Sequence, residues 1–326
     1  MWTFWMSGLL ALALLLGGGA PAVSQVVVKP PPPNGPVIRP DAAETPSLFL
    51  VQEQSGGTMT GLQRVGQALL ENTRLYLIMQ NRRYAERIPD ELTSCLLCHP
   101  NGHTNGSFVA APDGSGLRYD APSLRGAAFT FPYAFKRQLN SLERFIFTEI
   151  RAAHVAFTWE PQMQIPFTGG GPSLTEEELD AMAAFIRALD FPPNPKLDRF
   201  GKLKAERATA AELRGQELFF GKARCAECHE PPFYTDLKAY NLQISGENPP
   251  SGMINVPTLR GIRFSAPYFH DGRFDGLGGR FPDDAPIDRI DVDAALGEVV
   301  SFFNELLELQ LTADEEGSLV AFLKAL

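Results

Sequence analysis

Cysteine is scarce in this chain. There are four in 326 residues, and all four fall in two Cys-x-x-Cys-His units, Cys95/Cys98/His99 and Cys225/Cys228/His229. Nothing is left over for a disulfide framework or for a separate thiol nucleophile. Histidine is as sparse: His99, His103, His154, His229 and His270 are the full set. If two of them bind metal, three remain for every other imidazole task. An excess of positive charge is also missing. The net charge of −9 argues against nucleic acid as the main partner and fits a basic protein partner instead. Long apolar runs are absent too. The longest, Leu9 to Leu16, falls short of the ~20 residues that a spanning helix needs, so no stable membrane span is expected in the mature chain. Strand signals are few. With 44% apolar and 21% charged residues, most of the chain is nevertheless expected to fold.

The start of the chain reads as an export signal. The apolar run is followed by Gly17-Gly18-Gly19 and by Ala22-Val23-Ser24, a small-residue cleavage site that would release a chain starting at Gln25. The region before the run has no Lys or Arg, so an uncleaved anchor is the alternative. Residues 1–24 are thus read as a signal peptide and the protein as exported to the periplasm. Residues 25–60, with Pro30-Pro31-Pro32-Pro33, read as an extended Pro-rich tether.

An internal repeat organises the rest. Leu174-Thr175-Glu176-Glu177-Glu178 leads into Ala184-Phe185-Ile186-Arg187-Ala188-Leu189, and Leu311-Thr312-Ala313-Asp314-Glu315 leads into Ala321-Phe322-Leu323-Lys324-Ala325-Leu326. Each opens with a capping box and continues as an amphipathic helix. Ala121-Pro122-Ser123-Leu124-Arg125-Gly126 matches Val256-Pro257-Thr258-Leu259-Arg260-Gly261, and Phe129 to Tyr133 matches Phe264 to Tyr268. A helix is predicted over Leu62 to Met79 from the spacing of Val65, Leu69, Leu70 and Leu77. The breaker cluster Pro192-Pro193-Asn194-Pro195 marks the boundary. The expected architecture is mainly α: two tandem cytochrome c-like haem domains, 61–194 and 195–326, with long irregular loops.

Cys-x-x-Cys-His is the signature of c-type haem attachment. Two thiols one helical turn apart each bond a haem vinyl group, and the adjacent imidazole reaches the iron. Two such units at equivalent places in a duplication point to two covalently attached haems. The alternatives are a four-sulfur zinc site, which would leave both histidines unexplained, and a thioredoxin-like redox pair, which needs a βαβ context that is lacking. The sixth iron position separates an electron carrier from a catalyst. Met163 and Met253 lie in segments read as loops, from which a thioether can reach an iron, whereas Met182 sits inside a helix and reads as core. His103 is too close to His99 to cross to the far face of the same haem. His154 is the freest imidazole.

With these motifs the chain resembles the bacterial di-haem cytochrome c peroxidase family, which includes MauG-like proteins. The resemblance runs from about Thr93 to Leu326 and is carried most specifically by Val256-Pro257-Thr258-Leu259-Arg260-Gly261 and Ala266-Pro267-Tyr268-Phe269-His270-Asp271-Gly272. It implies reduction of hydrogen peroxide, with two electrons and two protons, to water. The haem at His99 would be peroxidatic. The haem at His229 would receive electrons from a small donor cytochrome or cupredoxin. Arg260 and His270 would pack around the second haem and its propionates, as structural support or more directly. A distal acid is implied beyond the first Pro-Tyr segment. Glu149 is best placed for it, with Glu143 and His154 as rivals, and its function is to move protons between the two oxygens. Three positions depart from the family pattern. Phe135-Lys136-Arg137 stands where a Trp-Asp-Gly string is usual. Phe303 stands where the second haem's sixth ligand is usual, leaving Met253 as a substitute. No histidine follows His103 in the loop that usually carries a displaceable ligand. The competing functional readings are a non-catalytic di-haem electron carrier and an oxidoreductase acting on another small substrate.

Overall fold

Each long helix begins where a threonine or aspartate side chain can satisfy the backbone N–H groups of the first turn. In a computed structural model of the protein, which describes residues 59–71, 95, 99, 102–104, 108–110, 118–133, 139–147, 175–242, 253–276 and 290–326, α1 spans Gly61–Glu71. Thr60 Oγ1 accepts from the Gln63 N–H while Gln63 Oε1 accepts from the Thr60 N–H. Two three-residue strands follow, β1 (Phe108–Ala110) and β2 (Arg118–Asp120), paired antiparallel with Val109 opposite Tyr119. Helix α2 is Glu176–Ala188 and α3 is Ala210–Phe220; Thr175 and Thr209 close reciprocal capping boxes with Glu178 and Glu212. Strands β3 (Ala239–Asn241) and β4 (Met253–Asn255) form a second antiparallel pair. Helix α4 is Val292–Leu306, capped by Asp291, and α5 is Ala313–Lys324, opened by a Thr312/Glu315 capping box. A further helical stretch covers 142–147. The described structure is therefore dominated by helices, with few and short strands.

Helix α1 packs on α2, and α3 packs on α5. The two pairs use the same device. A Cβ placed on Gly66 would lie 1.9 Å from the Ala181 carbonyl oxygen, and one on Gly215 would lie 2.0 Å from the Ser318 carbonyl oxygen. Only glycine allows backbones that close. Ala181 and Ser318 occupy equivalent places in the closing-helix repeat. This approach also decides which face of α1 is buried. Gly66 and Leu70 face inward, whereas Leu62 and Val65 are 48% and 52% exposed, so the inward stripe follows the glycine and not the earlier leucine and valine.

Two cores result. One gathers Leu70, Leu142, Ile146, Met182, Phe185 and Leu189, and Met182 is core as its helical position predicts. The other gathers Leu218, Phe219, Tyr234, Leu296, Leu319 and Phe322. All described residues belong to one compact unit. Residues 1–24, nearly all of the 25–60 stretch, Asn72 to Met79 of the helix expected over Leu62–Met79, and Cys98, Phe135, Glu149, His154 and Met163 lie outside the described residues. Among the described residues no helix is long and apolar enough to cross a membrane.

The Pro-x-Leu-Arg-Gly segments fold alike. Gly126 (φ 74°) and Gly261 (φ 71°) each turn the chain into a short 3-10 turn, Ala127–Phe129 and Ile262–Phe264. Tyr133 Oη then donates to the Ala127 carbonyl and Tyr268 Oη to the Ile262 carbonyl, both at 3.1 Å. The Gly126 N–H bonds the Leu189 carbonyl, at the end of α2, at 2.8 Å. The Gly261 N–H bonds the Leu326 carbonyl, after α5, at 3.1 Å.

Candidate functional site

The second Cys-x-x-Cys-His unit follows α3 directly. Arg224, in the left-handed region at φ 57°, turns the chain into the short 3-10 turn Cys225–Glu227. A paired contact of Arg224 Nε and Nη2 with the Glu227 carboxylate, both at 2.8 Å, braces the turn from outside. The His229 N–H bonds the Cys225 carbonyl at 2.9 Å, which sets the imidazole one turn above the first thiol. In the first unit the His99 N–H bonds the Cys95 carbonyl at 3.1 Å. Cys95, Cys225 and Cys228 are half-buried and in no disulfide. Burial pushes Cys225 up to about 12 and also raises Cys228. Cys225 and Cys228 are therefore protonated thiols, without the thiolate character of a nucleophile. Among the described residues no group of three or more His, Cys, Asp or Glu side chains gathers as a metal site.

The two imidazoles are held alike. His99 Nδ1 faces the His103 carbonyl at 3.2 Å and His229 Nδ1 faces the Tyr234 carbonyl at 2.9 Å. A carbonyl only accepts, so Nδ1 carries the proton in both rings and Nε2 presents its lone pair. Burial lowers the pKa of both histidines. It outweighs the opposing influence of these carbonyls and of the Pro122 carbonyl at His99, and of Asp236 and the Pro257 carbonyl at His229. A neutral imidazole with a fixed tautomer is the form that binds iron.

Between the two turns runs the segment after α2. Phe191 stacks with Phe129 at 5.9 Å and with Phe233 at 6.0 Å between centroids, and Phe129 stacks with Phe233 at 4.7 Å. The corresponding exchange on the other side pairs Phe264 with the His103 ring at 5.2 Å. His103 and Phe233 each lie four residues after a motif histidine. Each Pro-Tyr segment thus lends a phenylalanine to the opposite motif. Burial and then the Arg125 charge push His103 down to about 3, so its ring is neutral.

Arg260 and His270, both singled out from sequence, are buried at 5% and 6% exposure. The His270 carbonyl accepts from the Asp120 N–H at 2.9 Å, which ties the end of β2 to the Pro-Tyr-Phe-His-Asp-Gly segment. Arg260 lies over the Phe191 ring at 5.4 Å, and its buried Nε and Nη2 have no hydrogen-bond partner among the described residues. Met253 is half-buried and opens β4 opposite Asn241. It therefore sits in a strand, where sequence reading expected a loop, because Asn255 and Ala239 close a three-residue ladder. Phe303 lies on α4 beside Phe302, which packs on Phe269 and Phe274. Sequence reading passed over two residues here. Arg125 is the repeat mate of Arg260 in the aligned halves, but it was given no part in the site. Asp190 follows α2 with no local pattern to mark it.

The cofactor these motifs imply is a pair of c-type haems, and the residues fit it. The described residues offer half-buried thiols at Cys95, Cys225 and Cys228, a neutral imidazole with Nε2 presented in each motif and, at Arg260, two buried N–H groups suited to a propionate.

No family model matches the chain. It is 23% identical over 332 residues to the cytochrome-c peroxidase IdrP2 of Denitromonas iodatirespirans, covering 81% of this chain and 84% of that protein. In fold it is similar to a MauG-like protein associated with microbial copper homeostasis (TM-score 0.50, 19% identity, 89% of this chain and 93% of the other). It is also similar in fold to the Kuenenia stuttgartiensis hydrazine synthase (TM-score 0.51, 20% identity, 95% of this chain and 100% of the other). In sequence this chain is thus similar to cytochrome-c peroxidases and to the methylamine utilization protein MauG of Methylorubrum extorquens (32% identical, covering 45% of this chain and 42% of that protein), and in fold to a MauG-like protein.

Proposed function

We propose that this chain is an exported, periplasmic c-type cytochrome with two covalently attached haems, and that it reduces hydrogen peroxide with electrons from a small donor cytochrome or cupredoxin. The observation that carries this reading is the matched pair of motif histidines, each with Nδ1 on a backbone carbonyl and Nε2 presented. In this reading residues 61–194 and 195–326 are tandem haem domains and residues 1–24 are an export signal.

The bound haems would supply the redox chemistry. The chain's own residues attach, orient and move protons. Cys95 with Cys98 and Cys225 with Cys228 hold the two macrocycles, and His99 and His229 bind the irons. Arg260 neutralises carboxylate charge at the second site and His270 packs there. Met253, together with His229, would hold the second iron. Glu149, with His154, is assigned to take a proton from the bound peroxide and return one to the departing oxygen. The stretch leading to Glu149 is anchored. Ser141 Oγ donates to Glu143 at 2.8 Å, and Glu143 pairs with Arg187 of α2 at 2.6 Å.

The test is the purified protein with both haems in place. A mass increment for two macrocycles and a Soret band that survives denaturation are expected, with high-spin iron in the oxidised spectrum. Glu149→Gln should keep both haems and lose about 10²–10⁴-fold in peroxide turnover. Wild-type turnover in that variant would overturn the acid assignment. Two low-spin haems inert to peroxide after partial reduction would establish an electron carrier instead.

A further inference from the structure

The turn Asp198–Lys202 is firmly held, and at its tip it keeps an aromatic ring in solvent. Asp198 Oδ1 accepts from the Phe200 N–H at 2.8 Å and from the Lys202 N–H at 2.9 Å, and the Asp198 N–H bonds the Lys202 carbonyl at 2.8 Å. Leu197 and Leu203 pair across the base of the turn and lie in the second core. Gly201, at φ 80°, lets the turn lie against the loop that follows the second motif, where a Cβ would come within 3.0 Å of Pro232 Cα. Phe200 is nevertheless 58% exposed, more than any other large apolar side chain among the described residues.

Positive charge surrounds that ring. Arg199 lies over Phe200 at 4.6 Å, and Lys202 Nζ lies over the ring of Phe220, at the end of α3, at 3.0 Å. Neither cation is in an ion pair among the described residues. Residues 196–207 hold five Lys or Arg against two Asp or Glu, in a chain whose net charge is −9. Of the five, Lys196 is paired with Glu212. An exposed phenylalanine among unpaired cations has the make-up of a protein contact. Aromatic and arginine anchors supply affinity, and charge supplies orientation and on-rate.

Two hydrogen bonds join this turn to the second motif. The Gly201 carbonyl, next to Phe200, accepts from Tyr234 Oη, and the Tyr234 carbonyl holds His229 Nδ1 at 2.9 Å. Ring packing makes a parallel connection. Phe220 meets Phe219 edge-on at 5.4 Å, and Phe219 meets Tyr234 at 5.6 Å.

We propose that the Arg199–Lys202 turn is the docking surface for an acidic electron-carrier protein, which exchanges electrons there with the His229 haem. The inference rests on the di-haem reading above and gives its donor a place and a charge. One electron passes from the reduced carrier to the oxidised haem, and no bond is made or broken. At this contact the partner is acidic, opposite to the basic partner that fits the net charge, because steering follows the local field as well as the total. The connection to an iron ligand favours a redox partner over anionic lipid, which would match the charge alone.

Stopped-flow mixing of the reduced holoprotein with oxidised plastocyanin, an acidic cupredoxin, tests this, since exchange in either direction uses the same contact. The second-order rate should fall as salt is added, as attraction between opposite charges requires. Arg199→Glu combined with Lys202→Glu should lower the low-salt rate about tenfold or more and abolish its fall with salt. Phe200→Ser should lower the rate and leave the salt dependence in place. Arg199 and Phe200 are exposed, so the haem spectra and both midpoints should stay as in the wild type. A wild-type rate that rises with salt, or variants that match the wild-type rate, would overturn the proposal. Binding to phosphatidylglycerol vesicles that Phe200→Ser abolishes, with plastocyanin rates unchanged, would also overturn it and assign the turn to a membrane surface. Peroxide takes no part in this assay. A protein that exchanges electrons with plastocyanin in this way but leaves peroxide untouched would overturn the peroxidase reading alone. A wild-type protein without covalent haem, seen by mass spectrometry, would overturn the di-haem reading and this proposal with it.

Discussion

His229 Nδ1 donates to the carbonyl of Tyr234, five residues on, whereas His99 Nδ1 donates to the carbonyl of His103, four residues on. The two halves reach the same chemical result through loops that differ by a residue. In the second half the extra residue brings a buried tyrosine under the motif. Tyr234 is fully buried, its Oη donates to the Gly201 carbonyl, and its ring packs edge-on against Phe219 at 5.6 Å. The imidazole is thereby linked through one residue to the turn at Asp198–Lys202.

That linkage makes Tyr234→Phe informative. The ring and the backbone carbonyl stay, so His229 keeps its acceptor, while the Gly201 carbonyl loses its donor. Leaving a buried acceptor unsatisfied costs about 1–3 kcal/mol. Chemical denaturation should register a loss of that size, with an unchanged Soret spectrum. An altered haem spectrum with undiminished stability would show that the hydroxyl acts on the imidazole and not on the fold.

The helix crossings make a second contrast. A methyl on Gly215 would lie 2.0 Å from the Ser318 carbonyl oxygen, whereas one on Gly297 of α4 meets nothing within 4 Å. Gly215→Ala must push α3 and α5 apart and should cost about 1–3 kcal/mol or more. Gly297→Ala should stabilise the protein by about 1 kcal/mol, through helix propensity alone. Thermal melts of the two variants should therefore move in opposite directions.

Much of this was legible in the chain because it is written in local patterns. The paired Cys-x-x-Cys-His units, the Thr175 and Thr312 capping boxes and the Pro-x-Leu-Arg-Gly turns are all runs of neighbours, and each recurs. One recurrence is harder to see. Thr60-x-x-Gln63-x-x-Gly66-Gln67 matches Thr209-x-x-Glu212-x-x-Gly215-Gln216. It marks the first helix of each pair and its crossing point better than the leucine spacing that predicts Leu62 to Met79. Asp190 could not be read at all. A carboxylate after a helix is ordinarily solvated, and only the fold buries it and sets its backbone carbonyl on Arg125. The phenylalanine exchange was hidden for the same reason. Phe129 and Phe233 belong to segments more than a hundred residues apart.

The entry to α3 carries a charge whose role can be titrated. Lys196 Nζ meets Glu212 Oε1 at 2.5 Å, and Glu212 also closes the capping box with Thr209. Burial alone would raise the Glu212 carboxyl. The hydrogen bond and charge of Lys196, with the Thr209 contacts, outweigh it and hold the carboxyl below its ordinary 4.5. A carboxyl depressed by folding contributes stability above its unfolded pKa and loses it as the pH falls through the folded one. Glu212→Gln preserves the capping box, since glutamine serves equally well at that position, and removes only the charge. The variant should be less stable than wild type at pH 7. The gap should close as the pH falls through 4.5 and below, where the wild-type carboxyl also becomes neutral. Denaturant midpoints for the two proteins across that range check this. A gap that persists unchanged into acid would mean that Glu212 acts through shape and capping alone, with the Lys196 pair contributing nothing.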